Sequence, residues 1–246
     1  RTAGSEAARR AAPFVALAPA ALWAGVSADA LFAGVTAVGI AVLVVAANPE
    51  PHRPRWITIV LAGAGGVLIG VALHLSYGVA PLVVIPVAVL IMRRRLDLLA
   101  IAGLGALGVA GAFAVQGFWW LDGLEATRAE YWKGVARHRS WTYYLSAGNP
   151  AAFALATGPA WVLGLARLTR GRLQPWLPAL AASGAVLVAN LSGLSKGEVE
   201  RIWLPYVPWV VLGAGSLSPG PARLRVLLGC QVLIGLVLQA TLRSPW

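Results

Sequence analysis

Residues 56–74 read Trp56-Ile-Thr-Ile-Val-Leu-Ala-Gly-Ala-Gly-Gly-Val-Leu-Ile-Gly-Val-Ala-Leu-His74 and contain no aspartate, glutamate, lysine or arginine. A helix of this length crosses the hydrocarbon core of a bilayer, which is about 30 Å thick. In lipid, backbone amides must hydrogen-bond within their own segment, and the stretch lacks the alternation of an outer-membrane β-strand. The sequence therefore predicts a transmembrane α-helix here.

Similar apolar stretches recur along the whole chain, which is 59% apolar and only 12% charged. In soluble globular domains about 25% of the residues are charged. We predict an all-α fold, a single polytopic bundle of about nine transmembrane helices that occupies 1–246. The predicted spans are 11–26, 32–48, 56–74, 77–92, 97–116, 150–166, 175–193, 202–218 and 226–242.

The sequence lacks the motifs of soluble enzymes. Its one cysteine, Cys230, lies in an apolar stretch, so this chain can form neither an internal disulfide nor a cysteine-based metal site. It has no Walker motif and no glycine-rich dinucleotide-binding loop between a strand and a helix, and its three histidines are scattered, without the spacing of a catalytic triad or a zinc site. We therefore exclude a soluble hydrolase.

Arginines fall in alternate connections between the predicted spans, which places them on one side of the bilayer. That side carries Arg1, Arg9, Arg10, Arg53, Arg55, Arg93, Arg94, Arg95, Arg167, Arg170, Arg172, Arg223 and Arg225, together with Glu6, Glu50 and Asp97. Because cytoplasmic loops are rich in arginine and lysine, we predict that this side is cytoplasmic in a plasma-membrane protein. The net charge of +11 then reflects topology and contact with anionic membrane lipid, and not a nucleic-acid partner.

The opposite, extracytoplasmic side carries most of the acidic residues. They are Asp29, Asp122, Glu125, Glu130, Glu198 and Glu200, accompanied by Arg128, Lys133, Arg137, Arg139, Lys196, Arg201 and Arg243. No carboxylate falls near the middle of a predicted span, where ion-coupled transporters place polar groups. We therefore expect any chemistry to take place at the extracytoplasmic face.

Asp29 lies in the first of three outer segments, the turn Ser27-Ala-Asp-Ala-Leu-Phe32 between two predicted spans. Its carboxylate can cap the helix that follows. It can equally face a cavity and orient a sugar hydroxyl or a basic partner. A carboxylate at a helix start satisfies both demands, so both interpretations stay open.

The second outer segment, Gly117 to Asn149, combines helical spacing of apolar residues with many aromatic side chains, which predicts an amphipathic helix on the membrane surface. An aromatic belt with solvated ion pairs, such as Glu125 with Arg128, explains most of it. The cluster Arg137-His138-Arg139 is less well explained in this way. Guanidinium groups at headgroup height are suited to phosphate recognition, although plain phospholipid anchoring would use them equally well.

The third outer segment, Asn190 to Trp209, places Lys196, Glu198, Glu200 and Arg201 at the mouth of the next predicted span. Acidic residues at a helix N-terminus are favourable on dipole grounds alone. In the functional interpretation, Lys196 or Arg201 contacts a phosphate, and Glu198 or Glu200 orients a hydroxyl or acts as a base. The Glu-x-Glu pair provides two ligands for a divalent metal, without a third.

The sequence Ser195-Lys-Gly-Glu-Val-Glu-Arg-Ile-Trp-Leu-Pro205, before a terminal pair of spans, resembles actinobacterial membrane glycosyltransferases of the GT-C superfamily. The Asp29 turn resembles the aspartate-containing turn that precedes a span in that superfamily. The sequence Trp119-Trp-Leu-Asp-Gly-Leu124, which includes Asp122, is similar to the same group. Within that group, the nearest likeness is to the methylthioxylose transferase type, which decorates a mannose-capped cell-wall glycolipid.

The resemblance implies an inverting transfer of a sugar from a polyprenyl-phosphate donor to a glycan or glycolipid acceptor at the extracytoplasmic face. It implies substrate-binding roles for Asp29, Asp122, Lys196, Glu198, Glu200 and Arg201, and the phosphate interpretation of the Arg-His-Arg cluster adds Arg137 and Arg139. Enzymes of this superfamily usually carry the catalytic acid in the first outer loop. Because the chain starts at Arg1 rather than at a methionine, we expect that loop and the general base to precede it. The resemblance leaves a divalent metal requirement open.

Two other classes of function remain. A lipid-linked sugar flippase or transporter would be expected to carry a charged polar seam through its spans, and the sequence shows none. A non-catalytic scaffold of cell-envelope assembly would tolerate the combined neutralisation of Glu198, Glu200 and Arg201, whereas an enzyme would lose turnover without losing its fold.

Overall fold

The computed structural model describes residues 5–168, 176–217 and 220–242. These residues form helices and connecting loops without any strand, which confirms the predicted all-α class. Four of the basic residues in the topology prediction, Arg1, Arg170, Arg172 and Arg243, lie outside the described residues.

Fourteen α-helices follow one another through the described residues, and several of them are short. They are α1 Ser5–Ala16, α2 Ala21–Ala24, α3 Asp29–Ala47, α4 Arg55–Leu75, α5 Val84–Met92, α6 Leu96–Val115, α7 Trp120–Lys133, α8 Trp141–Tyr143, α9 Asn149–Thr157, α10 Pro159–Leu168, α11 Leu177–Ser192, α12 Val199–Ile202, α13 Val207–Val211 and α14 Pro221–Thr241. Stretches of 3-10 helix occupy Tyr77–Val83, Val135–His138, Leu204–Tyr206 and Leu212–Ser216, and a π-helical turn occupies Tyr144–Gly148.

The chain divides into two compact units. The first comprises Leu31–Arg139, and the second comprises the described parts of Thr2–Ala30 and Ser140–Trp246. The single transmembrane domain that the sequence predicts for 1–246 stays a prediction.

Glycines let α4 and α6 of the first unit pack closely. A Cβ on Gly66 would collide with the backbone of Ala102, and a Cβ on Gly70 would lie 3.0 Å from the Cα of Ala106. These contacts advance in the same direction along both helices, so α4 and α6 run parallel. Small residues at such crossings allow the two backbones to approach each other. The N-termini of α4 and α6 therefore lie at the same end of this unit.

Aromatic residues form part of the core of the second unit. Phe153 on α9 makes an edge contact with Trp203, with ring centroids 5.5 Å apart, and Tyr206 continues the cluster at 6.4 Å from Trp203. Gln231 on α14 is fully buried and donates a hydrogen bond of 3.0 Å to the carbonyl of Phe14 on α1. This bond ties the last helix to the first helix of the described chain.

Four described helices are long and apolar enough to cross a membrane: α3, α4, α6 and α14. They match the predicted spans 32–48, 56–74, 97–116 and 226–242. Apolar side chains stay exposed on them, as with Leu104 on α6 and Val226 on α14. Contiguous apolar surface of this kind is stable in lipid and unfavourable in water. The described chain therefore has the helices of a membrane protein.

The predicted count of about nine spans is not confirmed, because the remaining stretches are broken or short. The stretch 150–166 is interrupted at Gly158, where Trp141–Thr157 and Pro159–Leu168 meet at 100°, and it counts as a fifth span only if this bent pair is one. The stretch 11–26 divides into α1 and α2.

Three more predicted spans also differ from a single long helix. Tyr77–Met92 and Leu177–Ser192 are shorter apolar helices, and the predicted start of the latter at 175 lies outside the described residues. The stretch 202–218 divides into short segments around Pro205 and Pro208. Proline lacks the amide hydrogen that a continuous helix requires and clashes with the preceding turn, and hydropathy does not record this.

Candidate functional site

Two acidic residues flank one arginine in the second unit. The Nη2 of Arg201 lies 3.1 Å from Oε2 of Glu198, and its Nε lies 3.8 Å from Oδ2 of Asp29. The three side chains are between 14% and 28% exposed, so water screens them only in part. Asp29 is also the first residue of α3, where a carboxylate is favourable to the helix dipole. Asp29 thus lies at a helix start and beside a basic residue, whereas capping of α3 and orientation of a sugar hydroxyl both stay predictions.

Lys196 is the most buried of the candidate residues. Only 4% of it is exposed, and its Nζ lies 5.8 Å from the centroid of the Trp141 ring. This distance is within the range of a cation–π interaction. Trp141 is itself packed against Gly193, where a Cβ would collide with the indole ring. The aromatic ring and the ammonium group are thus held together at the start of the loop that carries Glu198.

Two buried asparagines position this loop. Asn149 is 1% exposed, and its Nδ2 donates to Oδ1 of Asn190 at 3.0 Å and to the carbonyl of Ser195 at 2.7 Å. Its Oδ1 accepts a hydrogen bond of 2.9 Å from the amide of Gly197. Asn190 in turn donates to the carbonyl of Leu145 at 2.9 Å. Buried amides need such partners, so the network fixes the loop backbone on both sides of Lys196.

The backbone at Glu198 is strained. Gly197 has a φ of 88° and Glu198 a φ of 60°, so two consecutive residues have positive φ. A glycine adopts this region without penalty, whereas a glutamate does not. Strain of this kind persists only where surrounding contacts over-determine it, and it concentrates at functional sites. Here the Asn149 contact to Gly197 and the Arg201 contact to Glu198 enclose the strained position.

Glu200 lies on α12 beside Arg201 and is half-buried. The Glu-x-Glu pair gains no third acidic, histidine or cysteine ligand: among the described residues, no group of three or more such side chains lies close enough together to hold a metal ion.

The structure describes the other three candidates, Asp122, Arg137 and Arg139, in the first unit. Asp122 is exposed in the first turn of α7, Arg137 is exposed on the 3-10 helix Val135–His138, and Arg139 follows that helix. The predicted helix in 117–149 is confirmed as α7, whereas its position on a membrane surface stays a prediction. Its first residue, Trp120, is anchored by a hydrogen bond of 2.8 Å from Nε1 to the carbonyl of Leu73.

One predicted contact on α7 is not formed. Glu125 and Arg128 share the lining of a surface cavity of about 420 Å³ with Trp132, yet these two described side chains make no ion pair with each other. Their i,i+3 spacing makes such a pair possible, but an exposed pair gains too little energy to fix two long side chains in one geometry.

Sequence reasoning missed the structural roles of Asn149, Trp141 and Gly193. Trp141 and Asn149 lie in the second outer segment, which the sequence explains mostly as an aromatic belt, and Asn190 is the first residue of the third. The sequence of neither segment predicts the hydrogen bond between Asn149 and Asn190, because that bond depends on how α9 packs beside α11. The available signal was the occurrence of asparagine at the ends of two apolar stretches, where a buried amide requires a partner.

The comparisons with known proteins return no likeness: no family model matches the chain, and no curated protein and no solved structure is significantly similar to it.

Proposed function

We propose that this protein is a membrane glycosyltransferase of the GT-C type, which transfers a sugar from a polyprenyl-phosphate donor to a cell-envelope glycan or glycolipid. The proposal rests on the resemblance of 195–205 to that superfamily. The observation that carries it further is the convergence of Asp29 and Glu198 on Arg201, in the loop that also holds the buried Lys196 beside Trp141. Acidic, cationic and aromatic groups are the three kinds of group that this reaction uses.

Each group has a role in the proposed chemistry. The bond between the anomeric carbon and the donor phosphate oxygen breaks while the acceptor oxygen bonds to the opposite face of that carbon. The acceptor proton passes to a carboxylate base, which enzymes of this superfamily usually carry in their first outer loop, and the polyprenyl phosphate leaves. Arg201 and Lys196 stabilise the negative charge on the departing phosphate. Asp29 and Glu198 orient sugar hydroxyls, and Trp141 stacks on a sugar face.

The test is transfer of radiolabelled sugar from synthetic polyprenyl-phosphate donors by the full-length protein in detergent. We expect Arg201→Ala to lower the transfer rate by about 100-fold, as removal of one preorganised charge donor does elsewhere. Arg201→Lys keeps the charge and loses the planar geometry, so its rate should lie between the two. Arg128→Ala, an exposed arginine on α7, is the matched control and should leave the rate unchanged.

Two results would contradict the proposal. The first is a wild-type rate that does not depend on any polyprenyl-phosphate donor. The second is equal transfer rates for Arg201→Ala and Arg128→Ala at equal amounts of folded protein. If Arg201 contacts the donor phosphate, the Arg201→Ala rate must be the lower of the two.

A second candidate function, a flippase for a lipid-linked sugar, is favoured by the bent pair at Gly158. Transporters use discontinuous helices to expose backbone groups to a substrate. Here the helices Trp141–Thr157 and Pro159–Leu168 meet at 100°, and Thr157 at the break is buried. Translocation of a fluorescent polyprenyl-phosphate sugar across proteoliposomes, measured by dithionite quenching, separates the two functions. A flippase moves the lipid without cleaving it, whereas a transferase releases polyprenyl phosphate.

A further inference from the structure

A basic cavity lies at the end of the first unit where α4 and α6 begin. It has a volume of about 380 Å³, and its lining includes Glu50, Arg53, Arg55, Thr58, Arg95 and Asp97. Cavities of this size are within the range of small-ligand sites in proteins. The cavity belongs to the side that the arginine distribution predicts as cytoplasmic.

Two of the three arginines in this cavity are held by the protein itself. Arg53 has a side chain that is only 10% exposed, forms an ion pair with Glu50, and donates a hydrogen bond of 2.7 Å to the carbonyl of Val45. Arg95 contacts both carboxylate oxygens of Asp97, with distances of 3.1 and 3.2 Å. Within each pair, the charge of the arginine is balanced by the charge of the carboxylate. Both pairs form part of the cavity wall.

Arg55 differs from both. It lines the same cavity and is exposed, and it has no hydrogen-bond or ion-pair partner among residues 5–168, 176–217 and 220–242. The hydroxyl of Thr58, one turn further along α4, is likewise without a hydrogen-bond partner in the described chain. Three arginines against two carboxylates leave one positive charge, and this charge resides on Arg55.

The turn that precedes α6 and contains Arg95 has a strained backbone. The amides of Arg94 and Arg95 donate to the carbonyls of Ile91 and Leu90, both at 2.9 Å, which is the hydrogen-bond pattern of a Schellman motif. Its left-handed position usually holds glycine, yet Arg94 occupies it with a φ of 54°. A glycine there would remove this strain, and the chain has an arginine instead, next in sequence to the cavity-lining Arg95.

We infer that this cavity binds a phosphate group that carries one negative charge, as a phosphodiester does, with Arg55 and Thr58 as the direct contacts. A phosphodiester has one charge to match the one unbalanced cation, and its oxygens accept hydrogen bonds from a guanidinium and a hydroxyl. The parallel N-termini of α4 and α6 add a favourable field at the same end. The source of the phosphate is either the headgroup of an anionic phospholipid or a free phosphate ester.

Binding to the full-length protein in detergent tests this site without using any transfer activity. Native mass spectrometry would follow the occupancy of short-chain phosphatidylglycerol, with short-chain phosphatidylcholine as the zwitterionic comparison and glycerophosphoglycerol, the same phosphodiester without acyl chains, as the free ester. We expect Arg55→Gln to weaken phosphatidylglycerol binding at least about fivefold, the loss of one charge-assisted contact, and Thr58→Val to weaken it less. Arg128→Gln, which removes an exposed arginine from α7, should have no effect.

The outcomes separate the two sources and decide the proposal. Loss of phosphatidylglycerol binding in Arg55→Gln, without competition by glycerophosphoglycerol, assigns the site to a lipid headgroup. Competition by glycerophosphoglycerol that also depends on Arg55 assigns it to a free phosphate ester. Equal binding of both phosphate compounds by the wild type, Arg55→Gln and Arg128→Gln overturns the inference, because the charge of Arg55 then has no role. Because the readout is occupancy, none of these results depends on whether the protein transfers sugar.

Discussion

Replacement of Asn149 by alanine should destabilise the second unit more than any other amide-to-alanine change in the described chain. Asn149 is 1% exposed and makes three hydrogen bonds, to Asn190, Ser195 and Gly197, with distances of 3.0, 2.7 and 2.9 Å. Alanine removes all three and leaves buried polar groups without partners. At about 1 kcal/mol for each bond, the loss in the free energy of unfolding is about 3 kcal/mol.

The membrane setting lowers this figure. In a bilayer the unfolded helices also find hydrogen-bond partners, and the measured value falls to about 0.6 kcal/mol for each bond. Three bonds then give a loss of about 2 kcal/mol. We therefore expect the loss for Asn149→Ala to lie between these two limits, and we expect the loop that carries Lys196 and Glu198 to loosen.

Reversible unfolding in mixed micelles, with dodecyl sulfate as denaturant, measures this difference. Gln116→Ala is the matched control, because the exposed Gln116 makes one local bond of 3.0 Å to the carbonyl of Ala112. A surface change of that kind stays within about 0.5 kcal/mol. The reasoning is refuted if Asn149→Ala unfolds at the same denaturant concentration as the control, since the asparagine network then does not stabilise the loop.

Two further predictions concern the first unit. Gly66→Ala should lower the free energy of unfolding by about 1–3 kcal/mol, because its Cβ collides with the backbone of α6. Gly103 lies on α6 itself, but a Cβ there would meet no atom within 4 Å, so Gly103→Ala should leave the free energy of unfolding unchanged or raise it by up to about 1 kcal/mol. Thermal unfolding in detergent compares the two variants, and equal effects would contradict the close crossing of α4 and α6. Arg94→Gly should be more stable than Arg94→Ala by about 1 kcal/mol, since both remove the charge but only glycine relieves the positive φ. Equal stability of these two variants in the same assay would show that the turn is not strained.

The long helices were predictable because their stability is local. Residues 56–74 were predicted as a span and α4 runs from Arg55 to Leu75, while 97–116 was predicted and α6 runs from Leu96 to Val115. In lipid the backbone must satisfy its hydrogen bonds within its own segment, and the apolar side chains need no polar partner. For a single segment of this length, the structure that meets this requirement is an α-helix. The same reasoning fails at 202–218, where the stretch contains no acidic or basic residue, yet prolines divide it.

The candidate site was predictable only as a set of residue types. Asp29 was singled out as a carboxylate at a helix start and Arg201 as a cation in a charged outer segment, yet nothing in either segment indicates that they meet. Their contact requires the turn before α3 to pack beside α12 within the second unit. The position of Lys196 likewise depends on Trp141, whose place is set by Gly193.

The amino-acid sequence alone therefore determined the all-α class, the helices α3, α4, α6 and α14, and the concentration of polar residues between apolar stretches. These follow from composition and from hydrogen bonds within a few residues of one another. The tertiary structure decided which apolar stretches break, which asparagines pair, and which acids flank Arg201. Such contacts join residues far apart in the chain, and their free energy exists only once the helices have packed.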